Sequence, residues 1–224
     1  FVAPDDSCFG LFYNVAVLRG IFMIELVNVH KSFNDKKILD SVSIRIEKGE
    51  TFVIIGQSGV GKTTILRHIA GFFDPDHGDV FIDSERMNGA GTGKKARLRE
   101  RMGFLFQSGA LINWLNVREN AALPLVEHKL GSISEINRIV DEKLELLQLL
   151  DSADKMPADI SGGMKKRAGL ARAIVRNPSI ILYDEPTSGL DPVMSARIND
   201  MITRMKSELG VTSVVVTHDM VSAY

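Results

Sequence analysis

Gly56-Gln57-Ser58-Gly59-Val60-Gly61-Lys62-Thr63 is the stretch that decides the fold. Ahead of it runs the apolar, strand-like Phe52-Val53-Ile54-Ile55, and behind it the helix-like Thr64-Ile65-Leu66-Arg67-His68-Ile69-Ala70. Glycines at this spacing let a backbone wrap a phosphate without Cβ clashes. Successive N–H groups then point inward, and the helix adds its positive N-terminal end. Lys62 brings a point charge toward the β- and γ-phosphates. The Thr63 hydroxyl is placed to ligate Mg2+, and Thr64 completes the phosphate-facing set. The plain alternative is a glycine-rich turn with a chance lysine. Four fixed positions match by accident in about one chain in a hundred of this length, and the flanking strand and helix lower that further. The stretch names a nucleoside triphosphate with magnesium, without saying what the chemistry serves.

The 224 residues suffice for one domain with a subdomain and a sizeable core. Charged residues make up 25% and hydrophobic ones 45%, which is ordinary for a globular chain. The formal net charge of −1 gives no global field toward nucleic acid or anionic lipid. The lone Cys8 excludes an internal disulfide and fits a reducing compartment. Residues 1–22 look foreign to the rest. Their apolar run from Phe9 to Leu18 is too short to span a bilayer and lacks the flanks of a signal peptide. Met23 then begins a fresh alternation, Ile24, Leu26, Val27, Val29. Residues 1–22 therefore read as non-native upstream sequence with Met23 as the true start; an amphipathic anchor is the alternative.

Residues 24–30 and 42–46 alternate like strands, and 51–55 reads as a continuous buried-type strand. Val80-Phe81-Ile82 follows the turn-like Asp74–Gly78. Lys94 to Arg101 reads as a basic helix, and Gly103–Phe106 as a strand. From Ser132 the pattern turns helical. Ser132 and Glu135 make a capping box, with Ile136, Ile139, Val140, Leu144 and Leu147 on one apolar face. A second helix runs from Gly163 to Val175. Ile180–Tyr183 and Val211–Val216 read as buried strands joined by a helix over Val193–Leu209, which gives βαβ topology and a parallel sheet. The helical block, about 108–175, reads as a subdomain inserted between the phosphate loop and the later strands.

Asp184-Glu185 ends the strand Ile180–Tyr183. A carboxylate there sits at the C-terminal edge of a parallel sheet, beside the phosphate loop. Mg2+ keeps several waters and needs few protein ligands, so Asp184 can hold one of those waters. Glu185 is then free to orient or deprotonate an attacking water. A solvated acidic pair is the bland reading. Ser161-Gly162-Gly163 opens a helix near Met164 and makes a second anion-type site, with a simple N-cap as its alternative. One carboxylate pair with two phosphate-type sites suits two copies arranged head to tail. Each ATP would then lie between one copy's Lys62 loop and the other's Ser161 loop. His218, at the end of the last strand, could touch the γ-phosphate, and Gln107 could ligate Mg2+. Each of these two is weak evidence alone.

Together these residues resemble the ATP-binding subunits of ABC transporters over residues 24–224. Gly56–Thr63 looks like Walker A, Gln107 the Q-loop, Ser161-Gly162-Gly163-Met164 the signature, and Ile180–Asp184 Walker B. Glu185 looks like the catalytic glutamate, Ser188-Gly189-Leu190-Asp191 the D-loop, and His218 the switch histidine. Phe33 sits where the family stacks an aromatic on adenine. The resemblance implies an α/β P-loop NTPase of the ABC type, with a RecA-like core, an N-terminal antiparallel β part and an inserted α-helical subdomain. It implies ATP and Mg2+ as cofactors. Lys62, Glu185 and His218 would carry the catalysis, and Thr63, Gln107 and Asp184 the metal. Phe33, the loop residues and Ser161, Gly162, Gly163 and Asp191 would hold nucleotide. It also implies a homodimer that closes on two ATP, with residues 23–224 as the ATP-binding domain. Two departures stand out. Met164 replaces the usual glutamine of the signature and cannot make its amide hydrogen bonds. The chain also stops six residues after His218, where the family continues, so the C-terminal end reads as truncated.

Leu105–Leu111, Asn116–Asn120, Pro124–His128 and Ser161–Arg167 narrow the resemblance to the ATPase of Mla-type (Mce-associated) lipid transporters. The implied partners are a multi-pass membrane permease and a Mce-type substrate-binding protein, with the ATPase on the cytoplasmic face of the bacterial inner membrane. Leu111, Ile112, Trp114 and Leu115 either grip the permease or belong to the subdomain core. Two other functions compete. An importer of amino acids or metals shares the hydrolysis motifs. A soluble ABC ATPase acting on DNA or ribosomes would use a long coiled coil or tandem domains, and neither is present. The basic cluster Lys94, Lys95, Arg97, Arg99 and Arg101 reads as a solvated helix face rather than a nucleic-acid patch.

Overall fold

The computed structural model describes residues 22–34 and 36–219. The expectations for residues 1–21 and for the C-terminal end lie outside them. Phe22 lies inside and pairs with Glu47, so strand pairing takes in one residue ahead of Met23.

Strands β1 (Phe22–Phe33) and β2 (Lys36–Glu47) form a long antiparallel pair, so the two expected strands are parts of longer ones. Asn28 interrupts β1 with φ 47°, and the register shifts between Leu26 and Val29. This bulge resets the alternation, so that Leu26 and Val29, three apart, are both buried. Strand β3 (Thr51–Ile55) leaves this pair, the phosphate loop follows, and helix α1 (Lys62–Ile69) begins at its end. Strands β4 (His77–Ile82) and β5 (Glu85–Arg86) complete an antiparallel sheet of order β2-β1-β4-β5.

Helix α2 (Thr92–Arg99) leads to β6 (Met102–Leu105), and helices α3 (Val117–Glu127), α4 (Ile133–Leu146) and α5 (Gly162–Ile174) come before β7 (Ile180–Asp184). Helix α6 (Pro192–Leu209) crosses to β8 (Thr212–Thr217). The second sheet is parallel, of order β3-β8-β7-β6. Its central strands are buried throughout. Strand β3 corrects an expectation: it is an edge strand, half-buried, with Ile55 46% exposed. A continuous apolar run cannot reveal an edge position, because the order of strands in a sheet is a property of the crossovers, not of any one strand.

Period-two alternation gives the parallel sheet two apolar faces. Ile180, Leu182, Val214 and Val216 pack toward the antiparallel sheet and α1. Ile181, Tyr183 and Val215 pack toward α3–α6. The α4 capping box forms as expected, and a second one at Asn116 and Glu119 starts α3. Helix α6 carries Asp191 as N-cap, Pro192 in its first turn and left-handed Gly210 at its end, a full set of stop and start signals.

Candidate nucleotide site

The phosphate loop runs from β3 into α1, with Gly59 at φ 83° and Gly61 at φ 102°. These are left-handed angles that a side chain resists, so the loop can curl only with glycine there. Lys62 is buried, and its Nζ donates to the Gly56 and Gln57 carbonyls at 2.7 and 2.9 Å. Thr63 Oγ1 donates to Asp184 Oδ1 at 2.8 Å, tying the loop to the end of β7 across 121 residues of chain. Burial lifts the Asp184 carboxyl above its ordinary 3.8, since the Thr63 bond only partly offsets the loss of water. A desolvated carboxylate beside a hydroxyl is a hard oxygen donor set, and such a set fits Mg2+.

Glu185 follows on the same strand end. Its Oε1 lies 3.4 Å from Lys62 Nζ and its Oε2 lies 2.7 Å from His218 Nδ1. An ionised carboxylate only accepts, so Nδ1 carries the hydrogen of that contact. The backbone of Glu185 sits at φ 50°, immediately before Pro186. A non-glycine residue held there costs about 1–3 kcal/mol and persists only where its surroundings over-determine it. Here they do. Its N–H donates to the Val216 carbonyl at 3.0 Å, and its own carbonyl accepts from Ser188 N at 3.2 Å.

A cleft of about 260 Å³ opens over this cluster, lined by Ser58, Gly59, Gly61, Lys62, Thr63 and Thr64 from the loop side and by Phe33, Ile38, Gln107, Glu185 and His218 opposite. Phe33 is 41% exposed at its rim, and its ring meets Phe73 edge-on at 5.6 Å. Gln107 Nε2 approaches Ser188 Oγ at 3.4 Å. Of the residues expected to bind nucleotide or metal, Gly56, Gln57, Val60 and Asp184 do not line the cleft, and Val60 is exposed on the loop. Ser161, Gly162, Gly163 and Asp191 are likewise absent from its lining. Ser161 caps α5 and Asp191 caps α6.

Sequence reasoning missed Ile38 in the cleft lining and Phe73 against the Phe33 ring, and it missed Lys166. The last stands in the basic run Lys165-Lys166-Arg167, yet it is 4% exposed. The basic cluster of α2 and the turn after it is paired with acids of this chain: Lys95 with Asp74 at 2.7 Å, Arg97 with Glu85, and Arg101 with Asp83 at 3.2 Å. Arg99 lies over the Phe72 ring.

A parallel sheet with a phosphate loop after one strand and a carboxylate pair after another defines a P-loop nucleoside triphosphate-binding protein. The chain belongs to the ABC transporter family, whose profile matches residues 39–188. It is 42% identical over 197 residues to the probable ribonucleotide transport ATP-binding protein mkl of Mycobacterium leprae, covering 88% of this chain and 57% of that protein. The chain thus spans less than two thirds of that relative's length. Over 198 residues it is 40% identical to the intermembrane phospholipid transport system ATP-binding protein MlaF of Escherichia coli, covering 88% of this chain and 74% of that one. The fold matches the dimeric post-hydrolysis state of the ATP-binding cassette MJ0796 bound to ADP and Pi, with a TM-score of 0.83 at 35% identity over 90% of both chains. The motif-based resemblance and the ABC-type α/β fold read from sequence both stand.

Proposed function

We propose that this chain is the ATP-binding and hydrolysing subunit of an ABC transporter that drives phospholipid transport across or between bacterial envelope membranes. The observation that carries the reading is the Thr63–Asp184 hydrogen bond, with Glu185 beside it facing Lys62. Lys62, Thr63, Gln107 and Glu185 line one cleft, and Asp184 reaches it through its bond to Thr63. In this reading Lys62 leaves its loop carbonyls for the β- and γ-phosphates. Thr63, with Asp184 and Gln107, would hold Mg2+, which when bound would neutralise phosphate oxygens. Glu185 takes the proton of the attacking water, and His218 orients Glu185 and faces the γ-phosphate. Phe33, backed by Phe73, stacks on adenine.

Ser161, Gly162, Gly163 and Asp191 serve the nucleotide of a second copy. Their absence from the cleft of their own chain supports a head-to-tail homodimer, as does the likeness to a dimeric cassette. Residues 23–224 form the ATP-binding domain, with residues 108–175 as its helical subdomain. Partners are a multi-pass permease and a Mce-type substrate-binding protein, and the place of work is the cytoplasmic face of the inner membrane. Trp114, 79% exposed, is the permease contact, whereas Leu111 packs against the helical core. The relative MlaF and Met164 in the signature support phospholipid cargo. The relative mkl carries a ribonucleotide name, which favours a second cargo reading.

Purification of the full-length subunit from membranes, with identification of co-purifying permease and bound lipid, tests the assignment. A phospholipid-loaded complex with ATPase activity is expected. A complex whose ATPase responds to ribonucleotide and carries no phospholipid overturns the cargo, and a subunit without ATPase activity overturns the function.

A further inference from the structure

Lys166 is a buried ammonium that the proposed reaction does not use. It sits on α5, five residues after Ser161, and is 4% exposed. Burial lowers its pKa to about 8, with Glu185 the charge that works against that shift. An ammonium taken out of water must find acceptors. Its Nζ donates to the Glu185 carbonyl at 3.0 Å and to the Ser188 carbonyl at 2.6 Å. Those carbonyls are the two ends of the turn Glu185–Ser188, which the Ser188 N to Glu185 O bond closes. Lys166 therefore plugs this turn from below, at the residue whose left-handed backbone needs outside support. Without the ammonium, the Glu185 carbonyl keeps one of its two partners and the Ser188 carbonyl loses its hydrogen bond to α5.

We propose that Lys166 is a positioning residue: its two carbonyl contacts fix the turn that aims the Glu185 carboxylate into the cleft, and they fasten that turn to the helix headed by Ser161. The proposal rests on the reading of Glu185 as the residue that activates water. It has a consequence for the dimer. The N-terminus of α5 faces the partner's nucleotide in that arrangement, so Lys166 is the short mechanical link between one nucleotide and the carboxylate that activates water at the other.

Lys166→Met, Lys166→Gln and Lys166→Arg in the full-length subunit test it. Lys166→Met should leave ATP affinity within about 2-fold and lower kcat about 10²-fold, the scale of a displaced catalytic group. Lys166→Arg, which keeps a cation with several donors, should recover part of that loss. Added to Glu185→Gln, Lys166→Met should reduce turnover no further, because a misaimed carboxylate and an absent one fail at the same step. ATP-driven dimers of the double variant should still accumulate. Should Lys166→Met not fold by circular dichroism, Lys166→Gln carries the same expectations with an amide donor in place. A kcat near wild type, a matching loss of ATP affinity, or independent multiplication of the two lesions overturns the proposal. The two readings fail separately. A Glu185→Gln variant that still turns over ATP removes the role of Glu185, while a dead Glu185→Gln beside an unaffected Lys166→Met removes only that of Lys166.

Discussion

Lys62 Nζ lies 3.4 Å from Glu185 Oε1 while donating to the carbonyls of Gly56 and Gln57. The cation expected to meet phosphate is already satisfied by its own loop and by the carboxylate across the cleft. Nucleotide binding must trade those contacts for stronger, charge-assisted ones to phosphate. Lys62→Ala removes the trade. Charge-assisted hydrogen bonds contribute about 1.5–3 kcal/mol, so nucleotide affinity measured by calorimetry should fall roughly tenfold to a hundredfold. Mixed with Ser161→Arg subunits, Lys62→Ala should recover part of the activity, since one composite site of the mixed dimer is then intact. Mixed dimers without any recovery would count against sites shared between chains.

Glu185→Gln keeps the size of the side chain and an oxygen that accepts from His218 N, so the turn should survive. Hydrolysis should fall about 10²–10⁴-fold, the contribution of a positioned general base. ATP binding should stay within a few fold, and size-exclusion chromatography should show a dimer in ATP. Near-normal turnover would remove Glu185 from the base role.

Much of this arrangement could be read from residues alone, because the decisive signals are local. The strand β7 ends on Asp184 as expected, and the Ser132–Glu135 capping box forms. What escaped is carried by distant partners. Helix α3 has the same capping signal at Asn116 and Glu119, but Pro124 lies inside it and its apolar residues form no clear stripe. Buried Asn120 steadies its first turn by binding Ile112 N and the Ile112 and Leu115 carbonyls. No propensity announces such a brace. Lys166 escaped for the same reason: only the approach of the β7 turn makes it a buried residue.

His68 supplies a pH prediction away from the cleft chemistry. It is fully buried on α1, with Nδ1–H donating to the Thr64 carbonyl at 2.7 Å, and its Nε2 is buried without a hydrogen-bond partner among the described residues. Burial holds its pKa below the ordinary 6.5, and the charges around it are Lys31, Asp76 and Asp74. As pH falls through 6.5 the unfolded chain takes up this proton before the folded one does. Stability is therefore fully present above 6.5 and declines below it, by up to about 1.4 kcal/mol per pH unit while only the unfolded chain is protonated. Urea unfolding of wild type and His68→Phe across acid pH should show the shallower decline in the variant. Parallel curves would disprove the assignment.

Two glycines in helices should respond with opposite sign to alanine. A Cβ on Gly169 in α5 would stand 2.7 Å from the Gly109 carbonyl oxygen and 3.0 Å from its Cα, both backbone atoms. Gly93 in α2 has nothing within 4 Å. Alanine in a helix interior gains about 0.5–1 kcal/mol over glycine, whereas overpacking costs about 1–3 kcal/mol. Gly93→Ala should be neutral or stabilising in thermal unfolding, and Gly169→Ala destabilising. A stabilised Gly169→Ala would show that α5 can withdraw from the turn at Gly109.

Trp114→Ala separates docking from folding. The ring is 79% exposed, so stability should change by no more than about 0.5 kcal/mol. Permease association in pull-downs should weaken more than ATP binding does. Equal loss of both would make Trp114 a structural residue.

Strand β8 lies between β3 and β7, although β3 ends at residue 55 and β8 begins at 212. During synthesis, the phosphate loop therefore leaves the ribosome long before the strand that will hold its base in register with the carboxylates. Until Thr212–Thr217 slides into the gap, β3 has no neighbour in its sheet, and Glu185 lacks both the Val216 carbonyl and His218. The last strand of the described residues thus supplies both the neighbour of β3 and the partners of Glu185, so the cleft is completed only when that late segment arrives.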